Sequence, residues 1–141
     1  GAAFKATTKG KELALAEYQA GADIIFHASG STGLGVFEAA RELKKLAIGV
    51  DSDQYDEAPG VVLSSMVKRV DTAVFDTIRD LKNGKWQGGV REFGLSDKGV
   101  AWVYDDRNKA RIPDAVKAKV DSLEAAIVAG QIKVPTEPSV Q

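Results

Sequence analysis

This chain predicts an α/β fold, an open and mostly parallel sheet with flanking helices. Short apolar runs of strand length alternate with longer segments of helical period, and the connections between them are short. The runs are also nearly continuous in apolar character, as in parallel strands covered on both faces. In sheets of this kind ligands bind outside the carboxyl ends of the strands, so those ends are where chemistry is sought.

A first helix is expected over 9–20, rich in Ala, Leu, Glu and Lys, with Ala14, Leu15 and Tyr18 on one face and Gly21 as its stop. A short strand follows over 24–27. Thr32 is placed to cap a second helix, on which Val36, Ala39, Ala40 and Leu43 fall at helical spacing. Residues 46–51 (LAIGVD) make the next strand, 52–60 (SDQYDEAPG) a polar loop with a Pro-Gly turn, and 61–66 a third strand. A helix over 67–82 carries Val67, Val70, Val74, Ile78 and Leu81 on one stripe and ends at Asn83-Gly84. Two short strands, 86–93 and 99–104, are expected around the turn Ser96-Asp97-Lys98-Gly99, with Trp86, Phe93, Trp102 and Tyr104 in the core. Pro113 opens a last helix with Val116, Val120, Leu123 and Ile127 on its apolar face. Gly130 ends it, and the tail KVPTEPSVQ is expected to be extended.

Composition narrows the function classes. The 141 residues suit one ordinary domain, and 44% hydrophobic with 28% charged residues describes a globular protein. The net charge is −1 with both signs interspersed, which argues against nucleic acid and anionic membrane as partners. No apolar stretch approaches the roughly 18 residues of a membrane helix. The absence of cysteine removes disulfides, thiolate chemistry and zinc–cysteine sites. No secretion signal or lipid-attachment cysteine stands at the start, so the chain reads as cytoplasmic or as a mature or truncated piece. There is no metal-ligand cluster, no pair of catalytic acids and no nucleophile motif. No enzyme, cofactor or metal is expected.

The strand ends hold the candidates. Residues 29–35, S-G-S-T-G-L-G, lack the Gly-Lys-Ser/Thr of a phosphate-cradling loop, and their G-x-x-G-x-G order is not the dinucleotide fingerprint G-x-G-x-x-G. The turn leaves backbone N–H groups at a helix start, suited to a neutral polar ligand or a weak anion; it would serve equally as a tight connection with no ligand. Asp51, directly after a buried strand, can accept two hydrogen bonds from a vicinal diol, or act as a turn residue. Lys68, beside the third strand end, can donate to a carbonyl or a ring nitrogen; as a surface lysine at a helix start it is slightly disfavoured by the helix dipole. Asp53, Asp56 and Glu57 read as solvated loop charges, and His27, the sole histidine, as structural or ligand-lining.

Taken in order, KGKELALAEYQAGADIIF, GSTGLGVFEAA, AIGVDSDQ, SSMVKRVDTAVFDTI, GLSDKGV and IKVP closely resemble the basic membrane protein family. These are bacterial solute-binding lipoproteins of ABC transporters that include purine-nucleoside receptors. The resemblance covers essentially the whole chain and is to the C-terminal half of the family. It implies that 1–141 is one lobe of a two-lobed type I periplasmic-binding-protein fold, with an N-terminal lobe as partner and the 67–82 helix belonging to that other lobe. Gly1 then stands about where a first strand would end. The resemblance further implies a purine nucleoside of inosine, adenosine or guanosine type clamped between the lobes. Phe4 would stack on the base, Gly30 would line the site, Asp51 would hold ribose hydroxyls and Lys68 would reach the base or sugar. It implies an ABC permease as partner and a cell-envelope location, periplasmic or lipid-anchored. The apolar stripe of 67–82 is left to fold back on the chain's own sheet, to dock on a separately supplied N-terminal half or to pair with a second copy in self-association, and one of the last two is expected. Open alternatives are a receptor for a sugar or another small solute, a non-transport regulator of the same fold, and a flavodoxin-like enzyme.

Overall fold

The computed structural model describes residues 5–135 and separates into two compact units. One comprises the residues up to Lys68 with Ala101–Asn108; the other comprises Arg69–Val100 with the residues from Lys109 onward.

The sheet has four strands in the order β1 (Ile24–Phe26), β2 (Leu46–Asp51), β3 (Val62–Lys68) and β4 (Val100–Trp102). β1 and β2 are parallel with Ile24 opposite Leu46. β2 and β3 are parallel with Gly49 opposite Ser65 and Asp51 opposite Val67, after a one-residue shift between Ala47 and Ile48. The three parallel strands therefore finish at one edge, at Phe26, Asp51 and Lys68. Beyond β4, Val103 N–H donates to Ser65 O (3.0 Å) and Ser64 Oγ to Val103 O (2.7 Å), which ties the following segment to β3.

The core of this unit lies where α1 (Thr7–Gln19) and α2 (Gly33–Leu43) meet the sheet. Ala14 and Tyr18 from α1 and Val36, Phe37, Ala39 and Ala40 from α2 enclose Ile25, Ala47 and Val62. Small residues let the helix backbones touch: a Cβ on Gly35 would stand 2.0 Å from Thr7 O, and one on Gly10 2.3 Å from Thr32 O. Tyr18 Oη donates to Leu46 O at 2.7 Å, hooking α1 to the start of β2.

On the edge strand β1 the face turned away from this core is open. Ile25 is buried, but its neighbours Ile24 and Phe26 are 42% and 54% exposed. Alternate strand residues face opposite sides, and the buried cluster lies on the side of Ile25. Thr32 begins α2 as expected, yet its side chain makes no cap bond to the helix. Its backbone is already helical, and its Oγ1 instead accepts Ala6 N–H at 3.0 Å.

The second unit holds α3 (Val70–Lys82) and α4 (Asp114–Val128), with Pro113 at the N-cap of α4. Neither helix has a buried residue. On α3 the exposed stripe is Val70, Val74, Phe75, Ile78 and Leu81; Val67 belongs to β3. The expected strand over 86–93 does not form. Gly88 and Gly89 interrupt it, with Gly89 at φ 125°, and Trp86 is half-exposed instead of core. Phe93 is partly exposed under the Arg91 guanidinium, 5.1 Å from its ring centre. In the first unit, Trp102 and Tyr104 are likewise only partly buried, their rings 5.3 Å apart.

Candidate functional site

The carboxyl ends of the three parallel strands frame a hollow of about 170 Å³, lined by Ala28, Gly30, Val50, Asp51, Met66 and Lys68. Three of the four residues singled out in the sequence therefore meet in one place. Phe4, the fourth, lies outside the described residues. Ala28, Val50 and Met66 carry no distinctive sequence signal; they line the hollow because each sits at a strand end.

Each polar element arrives by a separate backbone device. Gly30 has φ 57°, a conformation cheap for glycine, and opens a single 3₁₀ turn (Gly30–Thr32) that leads into α2. Gly33, later in the same run, serves packing: a Cβ there would stand 2.1 Å from the His27 ring. Asp51 has φ 71°, which non-glycine residues rarely adopt and aspartate tolerates better than most. Lys68 ends β3, one position past Val67, the register partner of Asp51. Its Nζ comes within 2.7 Å of Asp51 Oδ1.

This pairing is what sequence reasoning misses. Read from sequence, Asp51 and Lys68 have separate tasks, and nothing in the spacing of 51 and 68 announces a contact. Because their charges offset each other, the hollow offers an acceptor beside a donor without a net field for an anion. A phosphate entering it would meet the Asp51 carboxylate. Vicinal hydroxyls on the carboxylate and a carbonyl or ring nitrogen on the ammonium are the better chemical match.

Asp53 is not merely a solvated loop charge. Arg107 pairs with Asp53 and Asp105, and its guanidinium lies 4.8 Å from the centre of the Tyr55 ring. These contacts hold the loop after β2. His27 is not among the residues that line the hollow: it is buried and packs edge-on to Phe37 at 5.0 Å. Burial pushes its imidazole pKa down from the usual range, against the opposing pull of Gln54 and Asp51.

Residues 2–138 match the model of a family described as "ABC transporter substrate-binding protein PnrA-like". The chain is 40% identical over 152 aligned residues to a CD4+ T-cell-stimulating antigen of Listeria monocytogenes, covering 96% of this chain and 42% of that protein. It is 36% identical to the ABC transporter nucleoside-binding protein BmpA of Lactococcus lactis, covering 95% of this chain and 42% of that one. Among solved structures, an ABC transporter solute-binding protein from Aeropyrum pernix superposes with a TM-score of 0.75 at 23% identity, covering 91% of this chain and 44% of that one. The chain thus spans about two fifths of the length of these curated relatives.

Proposed function

The chain belongs to the family of PnrA-like ABC transporter substrate-binding proteins, and from that premise we propose that it forms one wall of a purine-nucleoside site in a receptor that delivers its ligand to an ABC permease. In this reading the chain is the C-terminal lobe of a two-lobed protein working outside the cytoplasmic membrane, and α3 packs with the other lobe. It binds and releases; it does not catalyse. Asp51 accepts the ribose hydroxyls, Lys68 donates to the base or sugar, the Gly30 turn closes the side of the hollow, and Phe4 stacks on the base.

The observation that carries this reading is the meeting of Gly30, Asp51 and Lys68 in one hollow at the strand ends, with Asp51 in a left-handed backbone. Residues in costly conformations gather where function requires them. The hollow's volume also suits a single wall, since complete small-molecule pockets run to roughly 300–1,000 Å³. A nucleoside-binding relative at 36% identity supports the ligand class.

Calorimetry with inosine, ribose and free purine base on the whole protein tests it. Inosine binding far more tightly than either fragment supports the nucleoside reading. Equal binding of ribose and inosine would make the protein a sugar receptor instead.

A further inference from the structure

We propose that Gln54 is a positioning residue for the ligand site, holding Asp51 in its left-handed backbone through a lock shared with Gly49 and Ser65. The inference rests on the nucleoside reading for its functional consequence, but not for its geometry.

Ser52 N–H donates to Val50 O at 2.8 Å across Asp51, whose φ is 71°. That is the rarer, strained form of the three-residue γ-turn, which persists only where its surroundings dictate it. Gln54 supplies those surroundings from two sides. Its Oε1 accepts the N–H of Val50, the first residue of the turn, at 2.8 Å. Its own N–H donates to Ser65 Oγ at 3.1 Å. Ser65 is wholly buried on β3, directly opposite Gly49 in the parallel register.

Gly49 explains how the parts fit. A Cβ there would stand 2.6 Å from Ser65 Oγ and 2.9 Å from Gln54 Oε1, so the absent side chain is the space that the lock occupies. The lock thus draws on two neighbouring strands and the loop between them. Gln54 does not line the hollow. Its effect reaches a ligand through the direction in which Asp51 points, and it depends on a side-chain oxygen that can accept Val50 N–H.

The test is NMR on the isotopically labelled full chain, reading the Asp51 backbone couplings that report the sign of φ, with inosine as the titrated probe. Wild type should show positive φ at Asp51 before any ligand is added. Gln54→Met keeps the length and removes the acceptor; Asp51 should then relax toward negative φ and inosine affinity should fall about tenfold, as for loss of one well-placed hydrogen bond to a charged group. Gln54→Glu keeps an acceptor and should restore both readings. If Gln54→Met does not fold, Ser65→Ala, which removes the acceptor for Gln54 N–H, should give the same loss. A positive φ at Asp51 that survives both Gln54→Met and Ser65→Ala overturns the proposal, whatever binds. A whole protein whose wild type ignores inosine discards the nucleoside, while the change of φ at Asp51 in the chain still upholds the lock.

Discussion

Lys68 Nζ lies 2.7 Å from Asp51 Oδ1, although the two side chains keep 59% and 54% of their surface exposed. A pair so open to water contributes about 1 kcal/mol or less to stability. The proposed reading gives the pair a ligand to hold at the carboxyl edge of the parallel sheet, and that can be tested apart from stability. Lys68→Met should leave unfolding free energy within about 1 kcal/mol of wild type while weakening inosine binding in the whole protein. Denaturant titration and calorimetry on the same sample check both halves.

Asp51 allows charge and backbone to be separated. Asn tolerates positive φ nearly as well as Asp, so Asp51→Asn removes the charge with little added strain. It should cost roughly 1.5–3 kcal/mol of nucleoside affinity, the range for hydrogen bonds to a charged group, and leave weak free-base binding almost untouched. Asp51→Ala should lose as much affinity and also some stability. Equal losses for nucleoside and free base would remove Asp51 from the sugar site.

The Gly33–His27 contact gives a packing prediction. A methyl group at Gly33 would stand 2.1 Å from a buried ring that cannot move without disturbing Phe37. Gly33→Ala should therefore destabilise by roughly 1–3 kcal/mol, the usual penalty of overpacking. Gly130 has φ 72° and open space where a Cβ would stand, so Gly130→Ala should cost backbone strain without a clash. Urea midpoints for the two variants, with circular dichroism to confirm that the fold is kept, make the comparison.

His27 makes stability depend on pH in a defined direction. Burial lowers its pKa in the folded chain, whereas the unfolded chain takes up its proton near the ordinary value of 6.5. Between those two points the unfolded state binds more protons, so stability is full above about 6.5 and falls as the pH is lowered through it. His27→Phe removes the titration and keeps a flat ring. The stability lost between about pH 7.5 and about pH 5.5 should shrink in that variant relative to wild type. An unchanged loss would mean that other groups carry the acid sensitivity.

Much of the fold is legible in the sequence because its signals are local. The helical period of Ala14, Leu15 and Tyr18, the continuous apolar run of 46–51 and the Pro113 helix start each depend on neighbours in sequence, and each matches an element of the structure. The site is partly legible for the same reason, since the strand-end rule singles out Gly30, Asp51 and Lys68 without any long-range knowledge. The contacts between those ends are not legible. Whether Lys68 meets Asp51, or Gln54 meets Ser65, depends on β2–β3 register, and a one-residue shift between Ala47 and Ile48 sets that register. Trp86 and Phe93 mislead because aromatic residues in an apolar run resemble core, while the neighbouring Gly88-Gly89 pair prevents a strand. The exposed stripe of α3 is legible as a pattern, but amphipathic spacing says nothing of what covers it.

The stripe of Val70, Val74, Phe75, Ile78 and Leu81 predicts association. Each of these side chains is more than half exposed, and burying a large aliphatic one is worth about 1.5–3 kcal/mol. Sedimentation of the purified chain should show mass rising with concentration, and Ile78→Glu should return it toward a monomer. A monomer at every concentration, with α3 amides protected from hydrogen exchange, would show that the chain covers the stripe by itself.

The central claim is that the strand-end hollow holds the sugar of a nucleoside, and amide chemical-shift mapping on the labelled chain tests it most directly because weak binding is still seen. Inosine should shift Gly30, Asp51, Ser52 and Lys68 in a saturable way, ribose should shift the same amides more weakly, and Asp51→Asn should weaken both responses. Saturable shifts confined to residues away from these strand ends, or an unaltered response in Asp51→Asn, would contradict the account.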